Sequence, residues 1–349
     1  MCIGLWSLDH PDYALLLKRL SIPCSILCTN RDEYLSRPTV NAQFHSFGRV
    51  SESSFVLSGR DIQAGGSWFG INRDGRVALL TNITEQHGSY RSSRGHLVSS
   101  FLQPGTPNVV QYTRELTSNR SDEFAGFNLL LLSPSGETGN GSIAYSEASL
   151  VTNSGGGGVI TARNLRSEER RLGGVSNGVD GPDGATWPKV KKGVSCLGEI
   201  IFENEGRFSS SEELAEQLFN ILSYALISTA FTYCSIDVLF FSFSCFYVRW
   251  KPSTPPGNRS QLRTSIEIPP LRMSSSLSAD ASADGPEFYG TRLSTILLVR
   301  RDGRVIFMER DAWKLDKGGN AVRGDPKDTR IFHLQLNDPK ELKESGIIS

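Results

Sequence analysis

Histidine is scarce in this sequence and cysteine is scattered. Five histidines and six cysteines occur in 349 residues, and no two cysteines form a Cys-x-x-Cys pair. The histidines lie far from Cys2, Cys24, Cys28, Cys196, Cys234 and Cys245, which argues against a structural zinc site. A disulfide framework does not suit a chain of this length either. An excess of one charge is also missing, since Lys plus Arg and Asp plus Glu each total 37. No strong global field then calls for nucleic acid or an acidic membrane surface. No basic region precedes the first apolar residues, and Asp9, His10 and Asp12 interrupt any signal-like stretch. A reducing, cytosol-facing compartment is expected.

Glycine and phenylalanine, by contrast, are plentiful, which suits a β-rich protein with tight turns. SWFGINRDGRVALLTN carries Asp74-Gly75 between two apolar runs, and LSTILLVRRDGRVIFMER repeats the arrangement at Asp302-Gly303. Asp-Gly favours the positive backbone angles of tight hairpins. GFNLLLLS (126–133) with GSIAYSE (141–147) reads as a third hairpin, and residues 2–8, 24–29 and IFHLQL near the end read as strands. Trp68 and Phe69, adjacent on a strand, are expected to point to opposite faces as packing residues. Helical spacing runs from Pro188 to about Asn204, and Ser210 with Glu213 forms a capping box ahead of Leu214. Shorter helices are expected over 95–102 and 108–116. Antiparallel strands with helices grouped between them predict an α+β fold, helices packed on stacked sheets.

One segment breaks the pattern. Tyr224 to Val248 has 25 residues and a single charge, Asp237, and Pro- and Ser-rich sequence follows from Lys251 to Asp284. Its length would span a bilayer, yet Asp237 near the centre would cost roughly 2.5–3.5 kcal/mol on insertion. A membrane span and a buried core element are therefore set behind a third reading. In that reading 224–284 is an irregular insertion, apolar over 224–250 and linker over 251–284. Residues 1–223 and 285–345 then make one domain.

Chemistry concentrates at two places. Cys2 becomes the first residue if Met1 is removed, which gives it both a thiol and a free α-amine. That amine, with an ordinary pKa of about 7.7–8.0, can take the thiol proton. The competing reading is a small apolar residue at the start of a strand. In ILCTNRDEYLSRP an apolar run, Ile26 to Cys28, breaks into Asn30, Arg31, Asp32 and Glu33. This is either a solvated turn or a strand end that brings Arg31 and Asp32 to flank Cys2. A cation there favours thiolate. Asn82 and Asn177 offer neutral amide donors suited to an oxyanion, and Arg292, opening a strand, offers a fork for a substrate or structural carboxylate. Glu33 and Arg37 can pair across the turn. SGGGGV (154–159) lacks the Lys-Ser/Thr of a phosphate loop.

MCIGLW, TNRDEYLSRPT, GRDIQAGGSWFGIN, LLTN, VSN followed by WPK, and YGTRLSTILLV resemble the NRDE-motif family, named for transport and Golgi organisation. The motifs follow the family order from residue 1 to about 336, with 224–284 outside the match. The family resembles cysteine N-terminal-nucleophile hydrolases, which implies a four-layer αββα sandwich and activity on non-peptide amides. On that resemblance Cys2, Arg31, Asp32, Asn82, Asn177 and Arg292 fall on the catalytic positions, although here the Arg and the Asp are adjacent. Whether the chain is an enzyme stays open. The resemblance equally implies a role in Golgi organisation, protein secretion and intracellular haem or lipid homeostasis, with the pocket used for binding. No cofactor is required. Transient haem or another small molecule is the implied ligand, although the sequence has no Cys-x-x-Cys-His or Cys-Pro motif, and His45, His87, His96 and His333 are isolated. A cytoplasmic location is implied, with Golgi-peripheral or mitochondrial placement open. Membrane association is expected only if 224–248 inserts, and the sequence sets no oligomeric state.

Overall fold

Alternation of side chains builds the architecture in the computed structural model. It describes residues 2–8, 25–48, 55–86, 88–119, 123–134, 143–181, 184–203, 208, 210–224, 262–273 and 287–336. Among them the chain runs β1 (Ile3–Ser7), β2 (Ser25–Tyr34), β3 (Thr39–His45), β4 (Val56–Asp61), β5 (Phe69–Asn72) and β6 (Val77–Asn82). Next come α1 (Gly95–Leu102), α2 (Val109–Asn119), β7 (Phe127–Ser133), β8 (Glu147–Thr152) and β9 (Thr161–Asn164). A short α3 (Ser167–Arg171) and β10 (Gly173–Val175) precede α4 (Pro188–Gly198) and α5 (Ser211–Leu222). The last part is β11 (Leu271–Met273), β12 (Glu287–Val299), β13 (Arg304–Asp311), β14 (Trp313–Leu315), β15 (Ala321–Arg323) and β16 (Arg330–Gln335).

One sheet has the order β10-β1-β2-β12-β13-β16, with β11 also paired to β12; the other is β3 through β9 in sequence order. Both are antiparallel throughout. Because successive strand residues face opposite ways, each sheet contributes to two apolar layers. Trp6, Leu27, Phe69, Leu79, Leu130, Leu297 and Phe307 fill the space between the sheets. Ile3, Leu5, Ile26, Cys28, Ile296 and Leu298 turn outward, where α4 and α5 bring Val190, Leu197, Leu214 and Leu218. On the far side Ala78, Leu129 and Leu131 meet Leu97, Phe101 and Tyr112 of α1 and α2. Three interlayer clusters make four layers, helix–sheet–sheet–helix, the αββα order expected. At Gly4 the sheets approach so closely that a Cβ would lie 2.7 Å from the Leu79 side chain.

Both Asp-Gly hairpins form, with Gly75 at φ 80° and Gly303 at φ 82°. The third differs: of the expected 141–147 only Glu147 pairs with β7, whose partner strand is Glu147–Thr152. Ile143 donates its N–H to Arg301 O at 2.8 Å, so the stretch before β8 docks on the other sheet's hairpin. Ser210 caps α5 by accepting from Glu213 N, whereas the Pro188 helix changes at Gly198 into a π-helical turn, Glu199–Glu203. Trp68 and Phe69 are both buried in the inter-sheet layer, because Gly59 leaves room for the Trp68 ring.

The expected 224–284 insertion is too wide. Leu262, Ile266, Ile268 and Leu271 are buried against the outer helices, and β11 pairs with β12. Residues 262–273 therefore belong to the domain. No helix among the described residues is long and apolar enough to cross a membrane; 225–261 lie outside them.

Candidate active site

The register of β1 assembles the site. Ile3 pairs with Asn30 and Gly4 with Thr29 on one side, and Gly4 pairs with Val175 on the other. Extended to the residue before Ile3, the two registers set Cys2 level with Arg31, one step on, and with Asn177, two steps on. Trp6, Leu27 and Val175 fix which face that is, since all three lie between the sheets. Three side chains far apart in sequence thus share the inter-sheet face at the tip of β1. Ser176 Oγ locks the turn by donating to Cys2 O at 2.6 Å.

The first correction concerns β2. Its apolar run does not end at the charges: the strand continues to Tyr34, and Asn30, Arg31 and Asp32 are all buried. Asn30 is tolerated because it is satisfied. Its Nδ2 donates to Leu222 O (2.8 Å) and Ile266 O (3.0 Å), and its Oδ1 accepts from Ser294 Oγ (2.7 Å). The second correction follows from period two. Arg31 and Asp32 point to opposite faces, so they do not flank Cys2 as a pair of side chains. Arg31 lies between the sheets, its guanidinium 4.0 Å from the Trp68 ring centroid, donating to Thr39 Oγ1 (3.1 Å) and 3.6 Å from Asp61. Asp32 turns outward, where Oδ1 accepts from Thr291 Oγ1 at 2.5 Å. It bears on Cys2 through its charge, which raises the thiol pKa, and through its backbone N–H, which lowers it. Glu33 and Arg37 do approach, at 3.8 Å, but Arg37 sits closer to Asp61, at 2.8 Å.

Cys2 is 8% exposed. Burial pushes its thiol pKa up and the N-terminal ammonium pulls it down; the Asp32 charge adds to burial, while the Asp32 N–H and the Arg31 cation oppose it. Arg31 in turn loses proton affinity to burial and regains part of it from Glu33, Asp61 and Cys2.

Asn177 and Asn82 meet, though not as two parallel amides. Asn177 Nδ2 donates to the backbone carbonyl of Asn82 at 2.5 Å, and its Oδ1 lies 3.1 Å from Ser176 Oγ, whose single hydrogen has its shorter contact with Cys2 O. An amide nitrogen carries two hydrogens, so Asn177 keeps a second donor. Arg292 does not open a strand. It is the extra residue of a bulge in β12, between Thr291, paired with Asp32, and Leu293, paired with Arg31. The bulge re-aims its guanidinium so that Nη1 donates to Arg37 O beside Arg31. Burial and the Arg31 charge lower its proton affinity. The structure thus gathers Cys2, Arg31 and Asn177, adds Asp32 and Asn82 through backbone groups, and sets Arg292 behind Arg31.

Three residues were not anticipated. Lys189 is fully buried, 0% exposed, its Nζ 5.8 Å from the Trp187 ring centroid; burial pushes its pKa down, and Asp32 and then Cys2 push it back up. Its signal was present: Lys189, Val190, Gly193, Cys196 and Leu197 form the buried stripe of α4, so a lysine occupies an apolar position. Arg94, half-buried before α1, donates to Gly126 O (3.0 Å) and is within electrostatic reach of Glu85 and Cys2. Asn128, a polar residue next to the start of FNLLLLS, donates to Ser176 O (3.1 Å) and Gly178 O (2.8 Å), and so holds the Asn177 loop. No group of three metal-ligating side chains occurs among the described residues. His45 is held by Ser58 Oγ at 2.9 Å.

Comparison with known proteins adds three findings. The sequence model of the family described as Transport and Golgi organisation 2 matches residues 1–314. An uncharacterised protein of Saccharomyces cerevisiae is 26% identical, over 96% of this chain and all of its own length. The Transport and Golgi organization protein 2 homolog of Bos taurus is 27% identical, over 89% of this chain and 92% of its own. Among solved structures, a variant of the conjugated bile acid hydrolase of Clostridium perfringens is 9% identical, with a TM-score of 0.43 over 96% of this chain and 97% of that one.

Proposed function

The chain belongs to the transport and Golgi organisation 2 family, and from that premise we propose that it is a cysteine N-terminal-nucleophile hydrolase acting on a linear, non-peptide amide. The observation that supports this reading most is the register that puts Cys2 beside Arg31 and Asn177 on one face. Removal of Met1 frees the Cys2 amine. The amine takes the thiol proton, the sulfur bonds to the amide carbonyl carbon, and the amine returns that proton to the departing nitrogen as the C–N bond breaks. Water then hydrolyses the thioester and regenerates the thiol. Arg31 favours the thiolate, and the second hydrogen on Asn177 Nδ2 serves the oxyanion. The Asn82 carbonyl fixes that amide, and Arg292 braces the Arg37 turn behind Arg31. In the cell this chemistry would serve Golgi organisation, secretion and haem or lipid homeostasis from the cytoplasmic side, with no cofactor required.

Intact-mass measurement of the purified protein is expected to show loss of Met1, and a panel of N-acyl amides is expected to be cleaved. Cys2→Ala should abolish cleavage, and Asn177→Ala should lower kcat by about 10²–10³-fold, as for loss of an oxyanion donor. Retained Met1, or cleavage unaffected by Cys2→Ala, sinks the proposal. The burial that raises the Cys2 pKa favours a second reading, in which the pocket binds haem or a lipid and the thiol stays silent. Haem uptake equal in the parent and the Cys2→Ala protein, with no amide cleavage by either, selects that reading.

A further inference from the structure

A buried ammonium at the start of a helix is in the wrong place twice over. Burial strips its water, and the helix N-terminus is the positive end of the backbone dipole. Lys189 is the second residue of α4 and is completely buried. Its own element also points it at the site. Added Cβ atoms at Gly174 and Gly193 would meet Val190 and Leu5 respectively, so α4 lies across β10 and β1; Gly178 lies against the Trp187 ring, so its N-terminus lies at the Cys2 end. On that outer face β2 presents Asp32, while β1 ends at Cys2. The charged groups facing Cys2 are then the N-terminal ammonium, Arg31 and Asp32 from β2, Lys189 from α4 and Arg94 from the start of α1, and the ammonium is present in parent and variants alike.

We propose that Lys189 is a positioning residue of the Cys2 site: its ammonium neutralises the Asp32 carboxylate across the outer face and so lets the thiol ionise beside that carboxylate. This rests on the reading of Cys2 as a nucleophile, but it concerns the thiol's ionisation and not amide cleavage. A purely structural lysine would fix α4 and leave the thiol unmoved. A neutralising one makes the effects of Lys189 and Asp32 on the thiol opposite in sign and coupled.

The test is the pH dependence of iodoacetamide alkylation of Cys2 in the full-length protein, read by peptide mass spectrometry so that Cys28 and Cys196 do not contribute. Lys189→Met is expected to move the Cys2 midpoint up by about one pH unit, a roughly tenfold slower reaction at neutral pH. Lys189→Arg should keep the parent profile. Asp32→Asn, which retains the backbone N–H, should move the midpoint down, and the double variant should return it towards the parent. An unchanged midpoint in Lys189→Met overturns the proposal. If Lys189→Met does not fold, Asp32→Asn decides: a midpoint that stays or rises overturns it. The expected shifts without amide cleavage would leave the role of Lys189 standing and remove the hydrolase reading; cleavage with unmoved midpoints would do the reverse.

Discussion

At the scale of single residues, burial decides which polar groups carry meaning. Asn30 and Asn128 are buried yet bonded on both ends, so they shape loops and do no chemistry. The motif letters showed Arg31, Asp32 and Asn177, but not that a carbonyl would represent Asn82 or that Lys189 would be enclosed. In KVKK the lysines look alike as letters; helical period alone puts Lys189, and not Lys191, on the buried stripe of α4. His45 shows burial acting on stability. Desolvation first, then the Arg60 charge, pushes its pKa down from 6.5 to about 4. The folded state therefore binds fewer protons than the unfolded chain between those values. Its contribution is complete above pH 6.5 and is lost as pH falls towards about 4. Urea midpoints at pH 7 and pH 5 should differ less for His45→Gln than for the parent.

Among elements, the sequence was most readable where a rule is local. Asp-Gly hairpins and the Ser210 cap are fixed by backbone angles and one hydrogen bond, and they formed where expected. Long-range events were hidden. That β2 runs on through three polar residues depends on what covers them: the end of α5, residues 262–268 and the second sheet. The bulge at Arg292 is likewise a property of two strands together. The close approach at Gly4 is a further long-range constraint. A side chain there must displace Leu79 inside a filled layer. Gly4→Ala should cost about 1–3 kcal/mol, seen as a lower Tm, and should slow Cys2 alkylation or cleavage by disturbing the tip of β1. A variant as stable as the parent would show that the layers yield at this point.

Across the whole molecule, four layers follow from alternation in two seven-stranded sheets with apolar helices on both outer faces. That much was legible from composition and period, because each layer is a sum over many residues. The limits of the insertion were not, since Ile266, Ile268 and Leu271 sit in a Pro- and Ser-rich stretch and bury only by meeting α5 and β12. Tyr224 O accepts from both Ile266 N and Glu267 N at 3.0 Å, so the chain leaves and returns at one point.

The opposite aim of Arg31 and Asp32 has a consequence for any change of length in β2. Adding a single residue just before them would shift the pattern by one step of the pleat. Arg31 would then turn to the outer face, towards Lys189, and Asp32 to the inner one. The sulfur would lose its cation without the loss of any motif letter.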